Sequence, residues 1–405
     1  MSQLFAFRPL RPAASVVSRV ASVPYDVVNT DEARALAAGD PLSFLRVTRS
    51  EIDLPADVGP YDPRVYARAA ANLAELTRTA PLIVEDEPSL YAYRLRMAGR
   101  EQTGVAGCFS VDEYEQGRIK KHEKTRKDKE DDRTRHITEL RAQTGLVFLT
   151  YRAQTAIDAI VAAISAGPPL YDFTAADGVS HTIWKASPRE RDALVGAFAR
   201  LDALYIADGH HRAASAARAR AALGAAAGSV EAGRVVAVAF PDDQVRILPY
   251  NRVVKDLADQ TPEAFLDRLL TLARATVGGP SEPAGPGVVA MFLDGRWYSV
   301  VLPTPPAGTP RADALDVEVL QRTVLGPLLG IGDPRTDKRI DFVGGIRGTA
   351  ELERLVRSGA AAVAFSMFPV RVDDLMAIAD AGGIMPPKST WFEPKLRDGI
   401  LTHQI

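Results

Sequence analysis

The chain of 405 residues has a single cysteine, Cys108, and a formal net charge of only −2. One cysteine cannot form an intrachain disulfide or a cysteine-only metal cluster, so a reducing cytoplasm is the expected compartment. Non-specific nucleic-acid binding needs a basic face, and the nearly balanced charge argues against such a partner. These two scarcities exclude a disulfide-stapled secreted domain and a general polyanion-binding protein.

Long apolar runs are also missing from the sequence. No window approaches the ~20 apolar residues of a membrane span. Near the N-terminus, Arg8, Arg11 and Arg19 interrupt the apolar core that a signal peptide would need. With 46% hydrophobic and 25% charged residues, the composition is typical of a soluble globular protein, and the length predicts two or three lobes. We therefore expect a cytoplasmic protein without a membrane partner.

Three pairs of strand-like runs predict β-hairpins. "SLYAYRLRM" and "TGVAGCFSV" flank "AGREQ", "GRVVAVAF" and "QVRILPY" flank "PDD", and "GPGVVAMFL" and "RWYSVVLP" flank "DG". Helical patterns such as "DPRVYARAAANLAELTRT" and "TPEAFLDRLLTLARATV" lie between them. This mixture predicts an α+β protein with mixed sheets, not a regular parallel doubly wound sheet. We expect a catalytic lobe over residues 1–255 and a second α/β lobe over residues 256–405.

The stretch "YIADGHHRAASAARAR" predicts a strand, a sharp turn and a helix. Gly209 can adopt backbone angles that other residues resist, and the start of the helix favours an anion, to which Arg212 adds a fork of donors. Asp208 is placed to cap the helix or to hold a metal or a ribose hydroxyl, and His210 and His211 to contact phosphate or move a proton. The alternative is a plain helix cap with two half-exposed histidines. A zinc site is disfavoured, because adjacent histidines point in different directions.

Residues 120–135, "KKHEKTRKDKEDDRTR", contain thirteen charged residues in sixteen. Such a run is usually a solvated helix face or a loop. Here it lies between a strand-like segment and an amphipathic one, and four of the six histidines fall in or beside it or at the turn. His122 and Glu123 are therefore candidates for proton transfer, with Lys124, Lys129 and Arg133 as cations that neutralise phosphate.

Two smaller segments also attract interest. "SVPYDVV" contains Asp26, although its spacing alone predicts only a turn before a helix capped by Asn29 or Thr30. "IMPPKSTWFEPKLRDGI" is unusually specific for the end of a chain, and we interpret it as a docking segment that closes the core. In this segment a lysine is followed by two hydroxyl residues, as in a P-loop, but the glycine-rich loop that should precede the lysine is absent.

The motifs "RPLRP", "VPYDVV", "HEKTRKDKEDDR", "YIADGHHRAASA", "PYNRVV" and "MPPKSTWFEPKLRDG" together resemble the bacterial and archaeal domain of unknown function family 1015 (DUF1015). They occur in order from Arg8 to Gly399, over nearly the whole chain. The family name implies no activity.

The Asp-Gly-His-His-Arg turn is similar to the phosphate-binding turn of the ParB/sulfiredoxin superfamily, which includes partition-type CTPases, sulfiredoxin and free-serine kinases. This resemblance implies a nucleotide-binding core in the first half of the chain. Sulfiredoxin-like enzymes carry a reactive cysteine in this turn, where this sequence has His210, and Cys108 is distant. A partition protein would continue into a DNA-binding helical domain, which the strand-rich C-terminal half argues against.

The resulting expectation is a nucleotide-dependent phosphotransferase that acts on a small hydroxyl metabolite such as free serine, with ATP or ADP and Mg²⁺. Residues 208–212 would hold the phosphates, Glu123 would be the first candidate base and Asp26 the second. His122 and Lys124 complete the predicted catalytic group. Two alternatives stay open: a metal-assisted phosphohydrolase using Asp208 and the histidines 122, 210 and 211, and a non-catalytic nucleotide-sensing regulator.

Overall fold

The computed structural model describes residues 2–79, 82–224 and 230–405. The end of the alanine-rich stretch, residues 225–229, lies outside these residues. The chain divides into two compact units. The first comprises the chain up to Lys121, Thr125–Val245 and Pro394–Ile405; the second comprises His122–Lys124 and Arg246–Glu393. The last segment of the chain returns to the first unit. The expected lobes over residues 1–255 and 256–405 stay a prediction.

The strands of the first unit are numbered along the chain. In order they are β1 (Leu4–Phe5), β2 (Leu10–Pro12), β3 (Leu82–Val84), β4 (Tyr91–Met97), β5 (Arg100–Ser110), β6 (Ile119–Lys120), β7 (Ala142–Gln143), β8 (Val147–Tyr151), β9 (Tyr171–Thr174), β10 (Ser180–Lys185), β11 (Leu204–Asp208), β12 (Arg234–Pro241) and, near the C-terminus, β21 (His403–Gln404). The helices are α1 (Val17–Val20), α2 (Thr30–Leu36), α3 (Leu45–Thr48), α4 (Pro63–Thr79), α5 (Val111–Glu115), α6 (Lys127–Leu140), α7 (Thr155–Ser165), α8 (Pro188–Phe198) and α9 (His210–Leu223).

A nine-stranded mixed sheet forms the centre of the first unit. Its order is β6-β11-β8-β12-β5-β4-β10-β9, and β1 pairs with β5. The pairs β11 with β6 and β12 with β8 are parallel, and the others are antiparallel. Strand β12 lies between β5 and β8 and is buried from Val235 onward, which explains its nearly continuous apolar sequence. The expected α+β class with a mixed sheet is confirmed.

The second unit is built on an antiparallel six-stranded sheet. The strands of the whole unit are β13 (Arg246–Leu248), β14 (Tyr250–Val254), β15 (Arg274–Val277), β16 (Val288–Leu293), β17 (Arg296–Val301), β18 (Ile340–Gly344), β19 (Val363–Ser366) and β20 (Trp391–Glu393). The sheet order is β15-β17-β16-β19-β14-β18, and β13 pairs with β20 apart from it. The helices are α10 (Pro262–Leu272), α11 (Asp316–Leu320), α12 (Gly326–Leu329), α13 (Gly348–Arg357) and α14 (Val372–Asp380).

Two of the three predicted hairpins are present. Strands β4 and β5 pair antiparallel, as do β16 and β17, whose turn has Asp294 at φ 46° and Gly295 at φ 74°. Positive φ at both central residues is the geometry that Asp-Gly favours in a two-residue hairpin. The hairpin predicted around "PDD" is wrong: both edges of β12 are occupied, and β13 pairs with β20 in the second unit.

A further correction concerns the helix predicted from "TPEAFLDRLLTLARATV". Helix α10 ends at Leu272, and the residues that follow form β15 against β17. Periodicity alone does not separate the end of a helix from a short edge strand. Across the described part of the chain, no helix combines the length and the apolar character needed to cross a membrane.

Candidate functional site

The sharp turn after β11 has the geometry expected from the sequence. Gly209 has a backbone φ of 92°, in a region that residues with a Cβ avoid, and α9 begins at the next residue. A Cβ at Gly209 would lie 3.2 Å from Arg212 Nη1 and 3.4 Å from Val147 Cα. A glycine is therefore required both by the backbone angle and by the close approach of neighbouring atoms.

The start of α6 lies beside the start of α9. The backbone N–H of Arg126, the N-cap residue of α6, donates to His211 Nε2 at 3.0 Å. Four residues further along each helix, Ser215 Oγ donates to the carbonyl of Glu130 at 3.2 Å, so the two helices run in the same direction. Arg218 pairs with Glu130 at 3.1 Å and extends the contact. The positive ends of two helix dipoles thus meet at His211.

The hydrogen bond from Arg126 also assigns the tautomer of His211. A ring nitrogen that accepts an N–H bond carries no proton, so the neutral imidazole of His211 bears its proton on Nδ1. Arg126 and Lys127 stand beside this junction, although they also pair with Asp128 and Asp131 of the same helix. Lys129 Nζ lies 5.5 Å from the ring centre of Tyr61. The arrangement suits an anion that contacts both helix starts.

Arg212 is buried and bound to Asp26. Its Nη1 donates to the carbonyl of Leu146 at 2.7 Å, and its Nη2 donates to both oxygens of Asp26 at 2.9 and 3.1 Å. The side chain of Arg212 is 7% exposed and that of Asp26 is 35% exposed. Burial lowers the pKa of Arg212, but the charges of Asp26 and Asp208 outweigh this effect and hold that pKa above its ordinary value. The guanidinium therefore positions a carboxylate that is itself open to solvent.

A helix cap follows Asp26 in the sequence. Asn29 accepts from the N–H of Glu32, whose side chain accepts from the N–H of Asn29, and this capping box starts α2. Of the two predicted caps, Asn29 and Thr30, the structure shows Asn29. Next to Asp26, the ring of Tyr25 lies 4.2 Å from the guanidinium carbon of Arg133 and 5.9 Å from that of Arg212.

Asp208 forms an ion pair with Lys395, which the sequence analysis did not single out. Lys395 Nζ lies 3.3 Å from Asp208 Oδ2, and Arg212 Nη2 lies 4.0 Å from the same oxygen. Burial raises the pKa of Asp208, but the charges of Lys395 and Arg212 outweigh burial and hold that pKa well below its ordinary value. A metal ion at Asp208 would compete with this ammonium group.

The C-terminal segment supplies a second residue that was missed, Asp398. Its backbone exchanges two hydrogen bonds with Ser22, at 2.9 and 3.1 Å. Burial raises the pKa of Asp398 to about 7. Lys395 and Asp398 both lie in "FEPKLRDG", part of the segment interpreted as a docking element. Its unusual charge content was the available signal.

The remaining predicted residues lie in different settings. Arg133 is 12% exposed and donates to Asp132 at 2.8 Å, and its guanidinium lies over the ring of Tyr25. His122, Glu123 and Lys124 belong to the second unit, in which the carbonyl of His122 accepts from the N–H of Met385 at 2.8 Å. Their role in a site with residues 208–212 stays a prediction.

Among solved structures, the chain is similar to a free serine kinase in complex with AMP, at 12% identity over 72% of this chain and 91% of the other, with a TM-score of 0.38. It is similar to a conserved hypothetical protein from Pyrococcus furiosus, at 14% identity over 73% and 94% with a TM-score of 0.37. A third structure, SbnI with a C-terminal truncation from Staphylococcus aureus, has 13% identity over 72% and 85% with a TM-score of 0.38. These similarities are distant.

No curated protein matches this chain. The family described as "Protein of unknown function (DUF1015)" matches residues 4–319, more than three quarters of the sequence. The motifs that carry the resemblance include the turn at Gly209 and the segment of Asp26, and the structure places both in the first unit. The chain belongs to the DUF1015 family.

Proposed function

We propose that this protein is a phosphotransferase that moves the terminal phosphoryl group of a nucleotide onto the hydroxyl of a small metabolite. One observation carries the proposal: the hydrogen bond from the Arg126 N–H to His211 Nε2, which joins the starts of α6 and α9. The positive ends of two parallel helix dipoles and the backbone of the Gly209 turn then lie together at His211. That point suits the phosphates of a nucleotide, since an anion is stabilised by both helix ends.

Asp26 is the base in this proposal. Its carboxylate is partly open to solvent and is held by Arg212 through two hydrogen bonds. In the reaction, the acceptor oxygen bonds to the terminal phosphorus, the bond from that phosphorus to the bridging oxygen breaks, and the hydroxyl proton passes to Asp26. Phosphoryl transfer depends mainly on positioning and charge neutralisation. Arg212 acts through Asp26 and is a positioning residue.

The remaining roles follow from charge. Mg²⁺ would neutralise negative charge on the nucleotide phosphates. Asp208 is already paired with Lys395 and would balance the positive charge at the turn. Lys129 is the cation of the predicted set that lies in the first turn of α6, where it is half-buried. Serine is the first acceptor to test, because the Asp-Gly-His-His-Arg turn resembles that of the free-serine kinases.

The first test is nucleotide binding. The melting temperature of the whole chain is measured with Mg²⁺ and ATP, ADP, CTP or GTP, for the wild type, His211→Ala and Arg220→Ala. A ligand that binds only the folded state raises the melting temperature. Arg220 is the matched control, since it lies at the other end of α9 and pairs with Asp112. We expect about ten-fold weaker binding in His211→Ala and unchanged binding in Arg220→Ala.

Each other outcome has a definite meaning. Equal binding in the two variants would overturn the phosphate site at the helix junction. Phosphate release without an acceptor would favour the phosphohydrolase alternative. Tight binding without turnover for any acceptor, beginning with serine, would favour the regulator.

A further inference from the structure

A cavity of about 30 Å³ lies behind the glycine turn, within the first unit. Its wall combines the segment of Tyr25, helices α6 and α9, the loop before β8 and the C-terminal segment, through Tyr25, Arg133, His136, Thr144, Arg212 and Asp398. A space of this size is large enough for a water molecule, and the lining offers several polar groups. Both features are those of a water site.

Two polar atoms of this wall are buried without a hydrogen-bond partner among the described residues: Arg212 Nε and Asp398 Oδ2. One is a donor and the other is an acceptor. Leaving either atom unsatisfied in the interior is costly, the more so because each belongs to an ionisable group. A single water molecule satisfies both atoms, because water donates and accepts.

Gly145 keeps the two side chains close to one point. A Cβ at this position would lie 3.1 Å from Asp398 Oδ1 and 3.5 Å from Arg212 Nε. Asp398 and Arg212 therefore lie on the same side of Gly145, the side to which a Cβ would project. A methyl group here would intrude on the space between them.

We propose that one water molecule binds in this cavity, accepting from Arg212 Nε and donating to Asp398 Oδ2, and that Asp398 is thereby a positioning residue for Arg212 and Asp26. The effect on Asp26 rests on the proposed function. In this arrangement Arg212 donates to Leu146 from Nη1, to Asp26 from Nη2 and to the water from Nε. The carboxylates of Asp398 and Asp26 consequently compete for the positive charge of one guanidinium.

The competition makes the site sensitive to pH. Besides Arg212, the charged or titratable groups around Asp398 are Asp26 and Tyr25 on the N-terminal segment, Arg133 and His136 on α6, and Tyr93 on β4. Burial lowers the pKa of His136 to about 3 and raises the pKa values of Tyr25 and Tyr93, so these three groups stay neutral near pH 7. Asp398 is the group of this set that ionises there. Its ionisation draws on the guanidinium of Arg212, which also holds Asp26.

The water is tested directly by a crystal structure of the whole chain that resolves ordered solvent. We expect one water within hydrogen-bond distance of Arg212 Nε and Asp398 Oδ2, and its loss in Gly145→Ala. Direct contact between Arg212 Nε and Asp398, or no ordered water in the wild-type cavity, would overturn the proposal.

The positioning role is tested by the pH profile of turnover. The wild type is expected to gain up to about ten-fold in turnover as pH rises through about 7, and the isosteric Asp398→Asn variant to lack this step. The same step in both proteins would overturn the role of Asp398. If the wild type has no phosphotransferase activity, the proposed function fails, but the water and the pH dependence of melting can still be measured.

Discussion

Arg212 donates two hydrogen bonds from one terminal nitrogen to the carboxylate of Asp26, a residue 186 positions earlier in the chain. The arginine is buried and the carboxylate reaches solvent. Arg212, which the sequence led us to expect at a phosphate, thus holds a carboxylate. It also joins two sequence motifs, "VPYDVV" and "DGHHR", into one site.

Asp26→Asn is expected to lower turnover by about 100-fold or more, with nucleotide binding unchanged, because the amide no longer takes the hydroxyl proton. Turnover and melting shifts are measured on the same preparation. Asp31→Asn is the control, since Asp31 is an acid on α2 with its side chain 92% exposed. Full turnover in Asp26→Asn would remove Asp26 as the base. A loss in Glu123→Gln instead would assign that role to Glu123.

Arg212→Met is expected to lower the free energy of unfolding by about 2–4 kcal/mol, since it leaves Asp26 and the Leu146 carbonyl without their charged partner. Urea denaturation measures the change. Arg34→Met removes an exposed arginine paired with Asp31 at 2.9 Å, and is expected to change stability by less than about 0.5 kcal/mol. Similar small losses in both variants would contradict a structural role for Arg212.

Gly209→Ala is expected to destabilise the protein by about 1–2 kcal/mol, because a Cβ is disfavoured at φ 92°. Gly196 is the matched control. It lies in α8, and a Cβ there would meet nothing within 4 Å, so Gly196→Ala should stabilise by about 0.5–1 kcal/mol. Thermal melting of the two variants is expected to shift in opposite directions, and a neutral Gly209→Ala would contradict the assigned turn geometry.

Asp398 predicts a pH dependence of stability. Its folded-state pKa of about 7 lies above the ordinary 3.8, so the folded protein binds one proton more than the unfolded chain between these values. Stability from this group therefore falls as pH rises from about 4 to about 7. Asp398→Asn should lack this fall and be up to about 4 kcal/mol more stable than wild type above pH 7. Parallel stability curves for the two proteins across this range would contradict the raised pKa.

Much of the local structure could be predicted from the sequence. The Asp-Gly turn between β16 and β17, the Asn29 cap and the strand–glycine–helix passage at Gly209 all depend on neighbours within a few residues. The false hairpin at "PDD" shows the limit of this reasoning. Both strands exist, but the partners of β12 are distant in sequence, and local pattern carries no information about which edges are already occupied.

By itself the sequence determined the elements and the residue types of the turn, because backbone preference and helix capping are local effects. Only the tertiary structure decided that Arg212 pairs with Asp26, that Lys395 pairs with Asp208 and that Asp398 faces the same cavity. Ion pairs and cavities arise between segments that folding brings together across nearly the whole chain. Their formation depends on burial and on competing partners, which no single segment of the sequence contains.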